Sequence, residues 1–192
     1  DVRVKFGNEL EIVDTHVITD LPLPDTTSVN FIVQTEIYNS SKTTRTANLH
    51  FNIGGVSAVY PVSLNANEKK MIKLTSNECK ELQMKNPRLW WPNGYGDPNL
   101  YHCKFEVMVD GKVSETKDVS FGIKKYSYDK EGNTFHVYIN DVPVFVKGAN
   151  WGMSEYMLRC RGAEYDTKIR LHKEMNFNMI RNWLGSVTDD EF

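Results

Sequence analysis

Cysteine is scarce and scattered. Cys79, Cys103 and Cys160 are the only three, with neither a CxxC pair nor a cysteine–histidine cluster of the kind that holds zinc. One disulfide between two of them stays open on spacing alone, and ordinary buried thiols fit as well. The five histidines are equally dispersed, so ligand spacing gives no reason to expect a metal or any other cofactor. A basic surplus is missing too. Twenty-three Lys and Arg stand against 25 Asp and Glu, a net charge of −2, whereas a nucleic-acid-binding surface is normally basic. No apolar run approaches the roughly 18 residues of a membrane-spanning helix. No basic-then-apolar leader opens the chain either, so the residues do not specify a compartment. The absence of methionine at Asp1 is what an excised segment of a longer protein would show.

The most informative stretch present is Pro87-Arg88-Leu89-Trp90-Trp91-Pro92-Asn93-Gly94-Tyr95-Gly96-Asp97-Pro98-Asn99-Leu100-Tyr101. Proline lacks a backbone N–H and glycine tolerates positive φ, so these residues cannot form a regular helix or a central strand. Two indoles in a loop must pack against something. They anchor a structural corner, or face a partner domain or a sugar ring.

Around this loop the chain has two grammars. Strand-like runs recur over Leu10–Thr19, Val29–Tyr38, Thr46–Ile53, Ser57–Leu64, Lys69–Leu74, Leu100–Val109 and Lys112–Ile123, several with visible alternation of apolar and polar residues. Asp110-Gly111 joins two of them as a type I′ hairpin turn. About seven short strands predict an immunoglobulin-like sandwich of two antiparallel sheets. After Lys125, Phe135–Ile139 and Val142–Val146 flank Asn140-Asp141, a second hairpin, whose far arm runs on into Lys147-Gly148-Ala149-Asn150-Trp151. A loop, Gly152–Gly162, precedes a helix over Glu164–Met175, with Ile169, Leu171, His172 and Met175 near one face. Asn176 suits a left-handed stop, and Phe177–Trp183 reads as the next strand. Strand, helix, strand predicts a βαβ unit of a parallel sheet, which one such unit cannot complete. Thr188 and Glu191 have capping-box spacing and announce another helix.

These residues together resemble glycoside hydrolase family 2. Leu89-Trp90-Trp91-Pro92-Asn93-Gly94-Tyr95-Gly96 with Leu100-Tyr101 is similar to the family's sandwich signature. Phe121-Gly122-Ile123 resembles its exit from the sandwich, with Lys124 in place of arginine. Asn140-Asp141-Val142-Pro143-Val144-Phe145-Val146-Lys147-Gly148-Ala149-Asn150-Trp151 resembles the start of its catalytic barrel, with Asp141 in place of glycine. Asn178-Met179-Ile180-Arg181-Asn182-Trp183 resembles the end of the second barrel strand. Details around Gly148–Met153 and Ile180–Trp183 look closer to the β-mannosidase and exo-β-glucosaminidase branch than to the β-galactosidases or β-glucuronidases.

The resemblance implies a mainly β fold: an immunoglobulin-like β-sandwich followed by a β-hairpin and an incomplete (β/α)₈ barrel segment. Residues 1–9 would end a preceding sandwich domain, residues 10–124 form the sandwich, and residues 125–192 begin the barrel. It implies retaining hydrolysis of a β-glycoside by two carboxyl groups about 5 Å apart. In the family both are glutamates on later strands. Glu155, Glu164, Glu174 and Glu191 do not match their motifs, so no catalytic residue is expected here and the segment alone should be inert. Barrel active sites form at the C-terminal ends of strands. That nominates Asn150, Trp151, Arg181, Asn182 and Trp183 for substrate binding, arginine and asparagine through hydrogen bonds and the indoles by stacking on a pyranose. Trp151 and Trp183 could equally fill the barrel core, and Trp90 and Trp91 could pack the sandwich against the barrel. Expected partners are a carbohydrate substrate and, within the same chain, the neighbouring domains; a periplasmic or secreted location suits the family. Asn39-Ser40-Ser41 fits a glycosylation sequon. The competing class is a carbohydrate-binding or adhesive immunoglobulin-like module acting alone, for which the βαβ segment would have no use.

Overall fold

The computed structural model describes residues 7–151 and 163–182. Residues 1–6, most of the expected end of a preceding sandwich domain, the loop Gly152–Gly162 with Cys160, Trp183 and the capping box Thr188–Glu191 lie outside the described residues. The fold is mainly β, and the chain divides into two compact units. One comprises residues 1–89 and 99–125; the other comprises residues 90–98 and 126–192.

The first unit is a two-sheet sandwich. Its strands are β1 (Leu10–Asp20), β2 (Ser28–Asn39), β3 (Arg45–Ile53), β4 (Val56–Leu64), β5 (Lys69–Leu74), β6 (Gln83–Lys85), β7 (Tyr101–Val109) and β8 (Lys112–Phe121). One sheet has the order β1-β2-β5, with β6 also on β2; the other is β4-β3-β7-β8. Every pairing is antiparallel. Alternation in the sequence becomes alternation in burial: along β2, Val29, Phe31, Val33, Thr35 and Ile37 point inward because successive side chains face opposite sides of a strand. All but Thr35, whose hydroxyl donates to Asp14 O, join Leu49, Phe51 and Ile53 of β3 and Phe105 and Val107 of β7 in one apolar core. Each such fully buried side chain contributes roughly 1.5–3 kcal/mol.

Two-residue turns set the registers. Asp110 and Gly111 have φ of 49° and 75°, and Gly54 and Gly55 have 55° and 98°, the left-handed pair that a type I′ hairpin requires. Bulges fall at Val13 in β1 and Ser114 in β8, and the two strands are laced where they occur. Ser114 Oγ donates to Leu10 O at 3.0 Å and the Ile12 N–H donates to Glu115 Oε2 at 2.7 Å. At the other end of β1, Thr19 Oγ1 donates to Lys124 O. The short strand β6 escapes sequence reading because three residues carry too little periodicity to register.

Cys79 and Cys103 are free, buried thiols. Burial pushes the Cys103 thiol up to about 12, so at pH 8 only about one molecule in ten thousand carries the reactive thiolate. Alkylation at pH 8, read peptide by peptide by mass spectrometry, should leave Cys103 unmodified in the native protein and label it fully in urea. Rapid native labelling would mean that β7 is not closed over it.

The second unit opens, after residues 90–98, with an antiparallel meander of β9 (Tyr126–Glu131), β10 (Thr134–Ile139) and β11 (Val142–Val144). Asn140 and Asp141, with φ of 53° and 62°, form the expected turn. The run read as a single arm through to Trp151 is in fact broken. β11 ends at Val144, and β12 (Gly148–Trp151) belongs to a different sheet, paired in parallel with β13 (Met179–Asn182). Between them lies α1 (Ala163–Glu174). Its acidic first turn and basic last turn suit the helix dipole. The helix ends as a Schellman motif: Asn176 has φ 61°, its N–H reaches Lys173 O, and the Phe177 N–H reaches His172 O.

Candidate functional site

The β12–β13 pair places the candidate residues. Asn150 lies opposite Arg181 and Trp151 opposite Asn182. Alternation sends Trp151 and Ile180 to one face and Asn150 and Arg181 to the other. On the first face Trp151, only 4% exposed, stacks on Tyr165 at 5.8 Å and lies 5.6 Å from the His172 ring. Ile180 completes this small cluster. His172 Nδ1 is 2.7 Å from Lys168 O; a carbonyl only accepts, so that nitrogen carries the proton. The geometry thus gives Trp151 a packing role against α1. The helix face that does the packing carries Tyr165 and His172, whereas Ile169, Leu171 and Met175, expected inside, are exposed.

On the opposite face Arg181 Nη1 donates to Asn150 Oδ1 at 3.0 Å. Both side chains are solvent-accessible, so the guanidinium keeps further N–H groups available in a planar fork. Asn182 is exposed at the end of β13. Among the five candidates the structure therefore joins Asn150 to Arg181, turns Trp151 away from them, and leaves Trp183 undescribed. Among the described residues no three His, Cys, Asp or Glu side chains group as metal ligands.

Three residues that shape this site lie inside the family motifs but are not among the residues expected to bind substrate. Asn178 bonds the neighbouring chain on both sides of its amide: the Lys147 N–H donates to Oδ1 at 2.8 Å, and Nδ2 donates to Phe145 O at 3.0 Å. Asn93 Nδ2 donates to Lys173 O at 3.0 Å and Phe177 O at 3.1 Å, adding a second donor to Lys173 O, which the Asn176 N–H already reaches, and tying the helix end to the residue that follows it. The Phe145 N–H donates to Tyr95 Oη at 2.8 Å. Asn93 and Tyr95 sit in the tryptophan loop, whose form is now clear. Trp90 bridges to Pro98, and the Trp91 N–H bonds Asp97 O. Pro92 to Tyr95 is a β-turn closed by Tyr95 N–H to Pro92 O at 3.0 Å, with Gly94 (φ 85°) in the position that type II turns reserve for glycine. A Cβ on Gly96 would sit 2.9 Å from the Trp91 ring, so only glycine lets the indole lie there.

Gly148 marks the closest approach in the site. A Cβ there would lie 2.1 Å from Met179 O, inside the β12–β13 pair. Gly148→Ala should therefore force the strands apart and destabilise this unit by about 1–3 kcal/mol. Urea unfolding followed through indole fluorescence would show it, and an unchanged transition would contradict the tight pairing.

The fold is shared with solved glycoside-processing enzymes. It matches the exo-chitosanase of Amycolatopsis orientalis with a TM-score of 0.84 at 19% identity, over 96% of this chain and 21% of that one. It matches the β-D-mannosidase of Dictyoglomus thermophilum with a TM-score of 0.75 at 25% identity, over 97% and 23% respectively. In sequence, the whole chain is 30% identical to the exo-β-D-glucosaminidase of Streptomyces avermitilis and covers 21% of its length. A mannosylglycoprotein endo-β-mannosidase of Lilium longiflorum is 36% identical over 54% of this chain and 11% of its own. The family described as "Glycosyl hydrolases family 2" matches residues 10–124. The chain belongs to glycosyl hydrolase family 2, and it spans about a fifth of the length of the exo-β-D-glucosaminidase it matches throughout.

Proposed function

We propose that this chain supplies the immunoglobulin-like sandwich and the first two barrel strands of a retaining β-glycosidase acting on a β-mannoside or β-glucosaminide. Residues 1–9 end a preceding domain, residues 10–124 are the sandwich, and residues 125–192 start the barrel, docking within the longer protein onto the domains around them. The catalytic glutamates come from later strands, so the 192 residues alone are inert. Substrate binding falls to Asn150 and Arg181, with Trp183 next in sequence after β13; Asn182 alternates to the face of Trp151, which holds β12 on the helix.

The observation that carries this reading is the 3.0 Å Arg181–Asn150 bond on the face turned away from α1. In a (β/α)₈ barrel the helices lie outside, so that face is the interior, and both residues stand at the C-terminal ends where such barrels bind substrate. Two polar side chains set there can hold sugar hydroxyls in fixed directions. The test is hydrolysis of a panel of p-nitrophenyl β-glycosides by this chain and by the longer protein side by side. The longer protein should cleave one sugar and this chain none. Cleavage by this chain would place a carboxylate pair within it. No cleavage by either, joined to glycan binding by this chain, would favour a non-catalytic carbohydrate-binding module instead.

A further inference from the structure

We propose that the tryptophan loop, residues 90–98, is a register clamp for the substrate-binding pair, with Asn93 and Tyr95 as positioning residues for Arg181 and Asn150; this rests on the glycosidase reading above. The loop reaches the beginnings of both strands and touches neither functional side chain. Through Tyr95 it fixes the approach to β12, because the Phe145 N–H ends on Tyr95 Oη at 2.8 Å. Through Asn93 it fixes the approach to β13, because one side-chain amide gathers Lys173 O and Phe177 O. Those two carbonyls bracket the left-handed Asn176, the residue that turns the chain out of the helix. Asn178 then ties the two approaches to each other across Phe145 and Lys147.

Arg181 follows three residues after Asn178 and Asn150 three after Lys147, roughly 10 Å along each strand. A parallel pair has no hairpin to set its register, and a slip by one residue would turn Arg181 to the helix face. In this pair the register is set instead at the strand beginnings, by three side chains that bond only to backbone. Glycine completes the device. Gly94 allows the turn that presents Asn93, and Gly96 makes room for Trp91, so the loop is held rigid where its two polar side chains leave it.

The test uses this chain in four forms: wild type, Tyr95→Phe, Asn93→Ala and Asn93→Asp, the last having the same shape without the donor. Native-state amide exchange by NMR is read at Phe145, Lys147 and residues 177–182, with β3 and β7 of the sandwich as reference, alongside the Arg181 guanidinium resonances. Tyr95→Phe should speed exchange at Phe145 and Lys147 at least about tenfold. Both Asn93 variants should do so across residues 177–182, and all three should shift the Arg181 signals while the sandwich amides hold their rates. Equal acceleration in both units would show general destabilisation and overturn the proposal, as would unchanged Arg181 signals or an Asn93→Asp variant that behaves like wild type. The readout needs no substrate, so its failure is separate from a failure of the glycoside panel. In the longer protein, Tyr95→Phe should lower kcat/KM about tenfold; accelerated exchange with unaltered kinetics would overturn the positioning role.

Discussion

Asn39→Asp will destabilise the sandwich by about 3–5 kcal/mol, the range measured when a buried charge is left without its partner. Asn39 is fully buried at the end of β2. Its Nδ2 donates to Thr43 O at 2.8 Å, Asn65 O at 2.8 Å and Leu64 O at 3.3 Å, while Oδ1 accepts from the Ser41 N–H and hydroxyl. Aspartate keeps the shape and turns an oxygen toward three carbonyls, so no cavity complicates the comparison. Those carbonyls disfavour the ionised form, so the folded-state pKa of the new carboxyl rises above its unfolded value of about 3.9. The sign follows. With a raised folded pKa, the variant is least impaired below about pH 4 and loses stability as pH rises through the folded value. Urea melts at pH 4.5 and pH 7 should show a larger deficit at pH 7; a deficit under 1 kcal/mol at both would mean that the amide is not enclosed. The same burial bears on the sequon. An amide nitrogen with three carbonyl partners and no exposure cannot carry a glycan in this fold, so peptide mass analysis after expression in a glycosylating host should find Asn39 unmodified.

In the longer protein, acting as the proposed glycosidase, Arg181→Ala should lower kcat/KM about 100-fold, close to 3 kcal/mol, the upper range for hydrogen bonds to a charged group. In this chain Arg181 is exposed, so Arg181→Ala should move its own melting curve by less than about 0.5 kcal/mol, which separates loss of substrate contact from loss of fold. Arg181→Lys should recover little of the activity, since an ammonium cannot reproduce the planar fork that meets Asn150. Asn150→Ala should fall between wild type and Arg181→Ala, because it frees the guanidinium without removing it. Kinetics of Arg181→Ala within threefold of wild type would end its assignment to the substrate pocket.

What the sequence made legible was what local chemistry decides. Alternation located the longer strands, and Asp110-Gly111, Asn140-Asp141 and Asn176 adopt the left-handed φ values their types favour. Family motifs pointed to the β12–β13 strand ends before their pairing was visible. What stayed hidden depends on partners distant in the chain. Apolar spacing puts Ile169, Leu171, His172 and Met175 near one face of α1; of these His172 packs, together with Tyr165, because the Trp151 ring meets the helix there, and the other three are exposed. The break between Val144 and Gly148 leaves no trace in composition, since both sides are strand-like and only the change of partner separates them. Asn93 reads as a loop residue and Asn178 as part of a strand; that their amides reach carbonyls 80 and 33 positions away is a property of the fold.

Residues 90–98 belong in space to the second unit although they interrupt the first in sequence. Recombination therefore has no single clean seam here. A crossover at residue 125 that joined this sandwich to a relative's second unit would bring nine residues matched to another helix end and strand. It would succeed only where the relative offers carbonyls for Asn93 and an N–H for Tyr95. Chimeras that carry residues 90–98 with the second unit they came from should fold more often than those cut at the linear boundary. In lineages that have exchanged sandwiches, this loop should share its ancestry with the second unit.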